Sequence, residues 1–195
     1  MGTVTKLETM ADLIQEHMEI AKKIYAEDGE VRPMLIGYSG EKRIMMPLMF
    51  ENEQEKEMLL RMVGMVCIAE GVTRYTVAFE GWSLKGEGED GMKEYDRLRK
   101  AGLRIEDSPM RQEILSCMAS SYGERKMIAY NIDEKDRSLT VMSETEGDGM
   151  QLQGRFFEIL PPQKPTAEQR AMAKQILDAS KMSLSEMGGT EETLH

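Results

Sequence analysis

Two pairs of residues in this chain are of types that do chemistry: Glu80 with Trp82, and Arg111 with Glu113. Each pair is spaced i, i+2, which places both members on one face of an extended strand. If the strand ending at Leu84 pairs with one starting near Arg111, all four side chains meet at one sheet end. Two carboxylates and a guanidinium there would form a small polar pocket. It could bind an anionic or polar ligand, or act in acid–base hydrolysis. The structural alternative is that Arg111 forks onto Glu80 or Glu113, or stacks on Trp82, and pins the strands.

Between these pairs lies Gly86-x-Gly88-x-x-Gly91, the spacing of a dinucleotide-binding turn. Such a turn works because backbone N–H groups and a helix N-terminus face a pyrophosphate. Here Glu87, Glu89 and Asp90 fill the turn with negative charge, although Glu106 and Asp107 lie near the distance expected of a ribose-binding acid. No βαβ unit follows. A solvated acidic linker is the expectation, with no bound cofactor. Gly37–Lys42 lacks the Gly-Lys-Ser/Thr end of a P-loop, and the acids near Asp90 and Asp148 lack calcium-loop spacing. His17 falls in a helical apolar stripe and is expected to be half-buried, and His195 is the last residue, so no histidine metal site is expected. Cys67 and Cys117 form no CxxC pair and are expected to be buried free thiols in a reducing compartment.

Composition narrows the class. The 195 residues are 41% apolar and 31% charged, which suits one globular domain with a real core. The net charge of −10 repels phosphate backbones and anionic lipid, and no Lys/Arg cluster with interleaved aromatics offsets it. Nucleic-acid binding by a basic face is excluded on this ground. No signal peptide or membrane-length apolar run is present, so a cytoplasmic location is expected. There are 19 methionines against 4 phenylalanines and 1 tryptophan. Buried, they fill an irregular core; exposed, they make an adaptable binding surface.

The elements that must position these residues follow from periodicity and caps. Thr5-Lys6-Leu7-Glu8 has capping-box form, and Met10, Leu13, Ile14, His17, Ala21, Ile24 and Tyr25 recur at helical spacing, predicting a helix over 6–27 stopped by Asp28-Gly29. Residues 33–38 and 43–49 read as a hairpin, with Pro47 placing the second strand at a sheet edge. Asn52–Glu55 caps a helix with Met58, Leu59, Met62, Val63, Val66 and Cys67 as its stripe, ending near Glu70-Gly71. In the next strand Tyr75, Val77 and Phe79 are odd-numbered, whereas Trp82 and Leu84 are even; the change of parity predicts a β-bulge at Gly81. A charged helix over 92–101 and an irregular stretch over 104–109 follow. Three meander strands over 112–121, 126–132 and 138–143 come next, then an acidic loop over 144–150. Residues 154–160 form a short apolar piece, and Thr166 caps a last helix running to about Lys181. The expected fold is α+β, an antiparallel or mixed five- to six-stranded sheet with helices packed on it. It makes one domain over 1–182 with a disordered tail over 183–195.

The chain also resembles a group of small hypothetical proteins of bacteria and phages. These carry a Glu-x-Trp strand end, a variable loop, and a Ser/Asp-Pro-x-Arg-x-Glu segment entering the next strand. Here these are Glu80-Gly81-Trp82 and Ser108-Pro109-Met110-Arg111-Gln112-Glu113, with Asp28-Gly29, Arg32-Pro33 and Gly154-Arg155-Phe156 also matching. The likeness spans about residues 15–162, with Gly81 where relatives have Ala. The group brings no known activity; it implies that residues 86–105 are the variable part.

With no complete catalytic set, the leading expectation is a non-enzymatic accessory protein that binds another protein. The alternatives are a small enzyme or ligand-binding domain using Glu80, Trp82, Arg111 and Glu113, and an acidic mimic of nucleic acid. A homo-oligomer is left open.

Overall fold

The computed structural model describes residues 9–85, 89–146, 155–180 and 190–193. Helix α1 (Met10–Asp28) starts four residues later than its spacing predicts, because Thr9 is the cap. Thr9 Oγ1 accepts from the Asp12 amide at 3.1 Å and the Asp12 carboxylate accepts from the Thr9 amide at 3.0 Å. The box expected on Thr5–Glu8 lies outside the described residues. Gly29, at φ 76°, closes the helix by donating its N–H to the Tyr25 carbonyl.

The hairpin forms as β1 (Met34–Ser39) and β2 (Lys42–Pro47). Helix α2 (Glu53–Ala69) is capped by Asn52, β3 is Arg74–Leu84, and α3 is Glu89–Ala101. The meander is β4 (Arg111–Ser121), β5 (Arg125–Ile132) and β6 (Leu139–Glu146). Helix α4 (Ala167–Ala179) carries the Thr166/Gln169 capping box. The apolar piece before α4 begins as a 3-10 turn, Arg155–Glu158, followed by buried Ile159 and Leu160.

These six strands make an α+β fold with an antiparallel sheet, extended by a seventh short strand, β7 (Thr190–Thr193). The order is β6-β5-β4-β3-β1-β2-β7. Two expectations are corrected here. Residues 190–193 of the expected disordered tail are a strand, and that strand pairs with Lys42–Met45, so β2 is not the edge. Met46 and Pro47 lie beyond that pairing, which leaves the missing Pro47 amide without consequence.

Both sheet faces are covered. Helix α1 packs Leu13, Met18 and Ala21 onto Ile36, Ala78, Leu115, Cys117 and Ile128. On the other face α2 and α4 pack Val63, Val66, Cys67 and Leu177 onto Leu35, Tyr75, Val77 and Met118. The predicted bulge at Gly81 does not form: from Arg74 to Leu84, β3 runs opposite β4 in unbroken register. Tyr75–Ala78 are buried on both faces, whereas Trp82 and Leu84 lie beyond the buried stretch, so the change of parity marks the end of the core and not a bulge. The bulge that does occur is in β6, where Ala129 pairs with Ser143 but Tyr130 with Val141, leaving Met142 as the extra residue.

Methionine is used both ways: Met18 and Met46 are fully buried, whereas Met49, Met58, Met92 and Met172 are exposed. The stripe of α2 is accordingly rotated from expectation, with Leu60 inside and Met58 outside.

Strand β1 accompanies β3 only as far as Ala78. Beyond it β3 is the margin of the β3–β6 sheet as far as Gly81, and Trp82–Leu84 continues with Arg111–Glu113 alone as a two-stranded ribbon, its ladder prolonged by the Lys85 amide donating to Met110 at 2.6 Å. The excursion from this ribbon contains α3 and a 3-10 turn at Ile105–Asp107, joined when Ser108 donates to Glu94 at 2.5 Å. We refer to it as the arm.

Gly64 sits where α2 meets the chain before α4; a Cβ there would lie 2.9 Å from the Ile159 carbonyl oxygen. Gly64→Ala should therefore destabilise the fold by about 1–3 kcal/mol in urea unfolding, a strain cost typical of overpacking. The sign opposes the gain of about 1 kcal/mol that helix propensity alone predicts.

Candidate functional site

Glu80, Trp82, Arg111 and Glu113 all lie on the face that α1 covers, Glu80 at the sheet margin and the other three in the ribbon that leaves it. Trp82 is opposite Glu113, and Leu84 opposite Arg111. The structure thus brings the four residues to one sheet end, but distributes their contacts differently from a single pocket. Arg111 turns outward, its guanidinium 5.1 Å from the Trp82 ring centroid and donating to the Glu106 carbonyl at 2.6 Å.

The cation that joins the carboxylates is Arg137, from the β5–β6 turn. Its Nη1 donates to Glu113, its Nη2 lies 3.9 Å from Glu80, and the same nitrogen donates to the Gly29 carbonyl at 3.3 Å. The guanidinium also stands over the Tyr25 ring, 5.2 Å from its centroid. Glu80 has a further partner, accepting the Val31 amide at 2.5 Å. The cluster therefore fastens three separate segments: the end of α1 with its exit loop, the ribbon, and the β5–β6 turn.

Arg137 reaches this position at a backbone cost. Its φ is 60°, the left-handed region, where a side chain costs about 1 kcal/mol or more. The turn supports it: Arg137 donates its amide to Asp133 at 3.0 Å, and the Asp133 and Asp136 carboxylates accept from Lys135 and Ser138. Only Gly29, Gly40, Gly71 and Gly102 otherwise have positive φ among the described residues.

The electrostatics follow burial and charge. Burial pushes the Glu80 carboxyl above its ordinary range; the Val31 amide opposes this, and the Glu113 charge adds to it. The Tyr25 phenol is also raised, first by burial, with Arg137 opposing and the two glutamates reinforcing. Its hydroxyl is buried and has no hydrogen-bond partner among the described residues. Beside Glu113 a cavity of about 210 Å³ is lined by Lys85, Gln112, Asn131, Asp133 and Lys135.

Other sequence candidates are placed elsewhere. Gly91 lies in the first turn of α3, while Gly86 and Gly88 lie outside the described residues. The thiols of Cys67 and Cys117 are free and buried on opposite sheet faces, and burial pushes Cys67 up to about 12 and Cys117 further. Among the described residues no group of three His, Cys, Asp or Glu is placed to hold a metal.

His17 is fully buried, where half-burial was expected, since α1 presses it against β3. Its Nδ1 is 2.7 Å from Thr76 Oγ1. Burial, aided by the Arg43 charge, holds its pKa down at about 3. A group whose folded pKa is depressed costs stability as pH falls below its unfolded value, because only the unfolded chain takes the proton. Between pH 6.5 and pH 5 the wild type should lose about 1.5–2 kcal/mol more than His17→Gln. Parallel urea titrations at the two pH values measure this difference, and equal losses would show that His17 does not titrate on unfolding.

Comparison of the chain with protein-family models, with curated proteins and with solved structures finds no match.

Proposed function

We propose that this chain is a non-enzymatic accessory protein that acts by binding another protein, with the arm as its contact surface. The observation that carries this reading is Trp82, 38% exposed at the root of the arm with Arg111 stacked against it. Trp and Arg dominate interface hot spots, because they bury a large, rigid area and bring a cation more weakly hydrated than an ammonium. Met92, Tyr95 and Leu103 are exposed along the same excursion. A basic surface on the partner would complement the net charge of −10. The likeness to small bacterial and phage proteins supports a bacterial or phage setting, and two buried thiols fit a reducing compartment.

The enzyme alternative loses ground because Arg137 engages both carboxylates that would serve it. Nucleic-acid mimicry needs an uninterrupted acidic stripe. Here basic side chains interrupt the helical acids, as in Glu19–Lys22, Glu57–Arg61, Glu89–Lys93 and Glu94–Arg97.

Affinity capture from host lysate with the wild type and with a Trp82→Ala, Tyr95→Ala variant tests the proposal. The wild type should retain a stoichiometric partner that the variant loses at unchanged Tm. Removal of one hot-spot Trp should cost about 2 kcal/mol or more of the binding free energy. Equal retention by both proteins, or turnover by the purified chain with no partner retained, would overturn it.

A further inference from the structure

Glu80 and Glu113 present two carboxylates to a single guanidinium, and the Gly29 carbonyl and the Tyr25 ring complete its surroundings. That is the full complement a guanidinium recruits: carboxylates for its fork, a carbonyl for a remaining N–H, and an aromatic face for its plane. A pinning ion pair needs only one carboxylate. Here the acceptors exceed the cation by one charge; the nearby Glu30 is itself paired with Arg32 at 3.0 Å.

Two observations separate this arrangement from an ordinary salt bridge. Tyr25 is only 6% exposed, and its hydroxyl, within the field of Arg137, Glu80 and Glu113, has no partner among the described residues. The cage therefore offers a polar group that its occupant does not satisfy. Second, the occupant enters from the surface: the Arg137 side chain is 43% exposed, and its backbone is in the left-handed region at the end of a turn. It is held by its neighbours against its own backbone preference.

We propose that Glu80, Glu113, Tyr25 and the Gly29 carbonyl form a binding site for a guanidinium group, filled by Arg137 in the free chain and open to an arginine from outside when the Asp133–Ser138 turn lifts. Arg137 is then an internal pseudo-ligand that competes at the effective concentration set by a short tether. The site is distinct from the arm, and stands or falls independently of whether Trp82 contacts a partner.

The test uses the full chain as wild type and as Arg137→Ala, with methylguanidinium, free L-arginine and an acetyl-Gly-Arg-Gly-amide peptide as probes. Thermal shift is read against sodium chloride of equal ionic strength. Arg137→Ala should melt lower than wild type and be stabilised saturably by all three probes. The wild type should respond with an apparent affinity weaker by about tenfold or more, because Arg137 competes. Adding Glu113→Gln to Arg137→Ala should abolish the response. Tighter binding of the peptide than of L-arginine identifies the source as a protein partner, and the reverse order identifies a free guanidino compound. If Arg137→Ala does not fold, the readout becomes its refolding yield with and without methylguanidinium. Absence of saturable stabilisation or rescue beyond the salt control, a response that survives Glu113→Gln, or no response of the wild type at any probe concentration overturns the proposal.

Discussion

The structure depends on burying both faces of one antiparallel sheet. A sheet with a single covered face tolerates polar residues at every second position; this one does not, because α1 lies on one side and α2 with α4 on the other. Its central strands therefore carry apolar or small side chains at both parities, as in Tyr75-Thr76-Val77-Ala78 and Leu115-Ser116-Cys117-Met118. His17, buried at the sheet interface, has to stay neutral, and the thiols stay protonated. The charged cluster lies at the end where β1 no longer accompanies β3.

Local chemistry made much of this legible beforehand. Helices announced themselves through caps that satisfy otherwise unpaired amides, as at Asn52 and Thr166. The hairpin and the meander followed from turn residues between apolar runs. The errors share a cause, which is that tertiary partners are not written locally. A parity change across Gly81 reads as a bulge only if one face is solvated, and β7 has little apolar content of its own; the backbone of β2 supplies its partner. At the start of α1 the cap is Thr9, whose box closes on Asp12 and not on a glutamate, four residues beyond Thr5.

At the site, register alone was enough to bring Glu80, Trp82, Arg111 and Glu113 together, because strand pairing is a property of neighbouring runs. Arg137 was not legible. It comes from a different turn, and its reach depends on a backbone angle that arginine seldom adopts. The available hint was negative: Asp133-Glu134-Lys135-Asp136-Arg137 turns the chain without a glycine or asparagine, so some residue had to take the left-handed position. Of the alternatives open to Arg111, stacking on Trp82 is the one the structure takes, and the fork onto Glu80 or Glu113 falls to Arg137.

The displaced residue Met142 has a meaning for the sheet as a whole. An antiparallel sheet with two open margins is a template: each margin presents a regular row of amides and carbonyls onto which another molecule can crystallise, strand upon strand. In this molecule the two margins are spoiled in different ways. On one, the chain lays its own short strand of Thr and Glu over β2. On the other, the extra residue at Met142 breaks the spacing of the row, so an incoming straight strand finds donors and acceptors out of step beside two exposed apolar side chains, Val141 and Met142. Each margin of the seven-stranded sheet thus carries a feature that works against the docking of a straight strand.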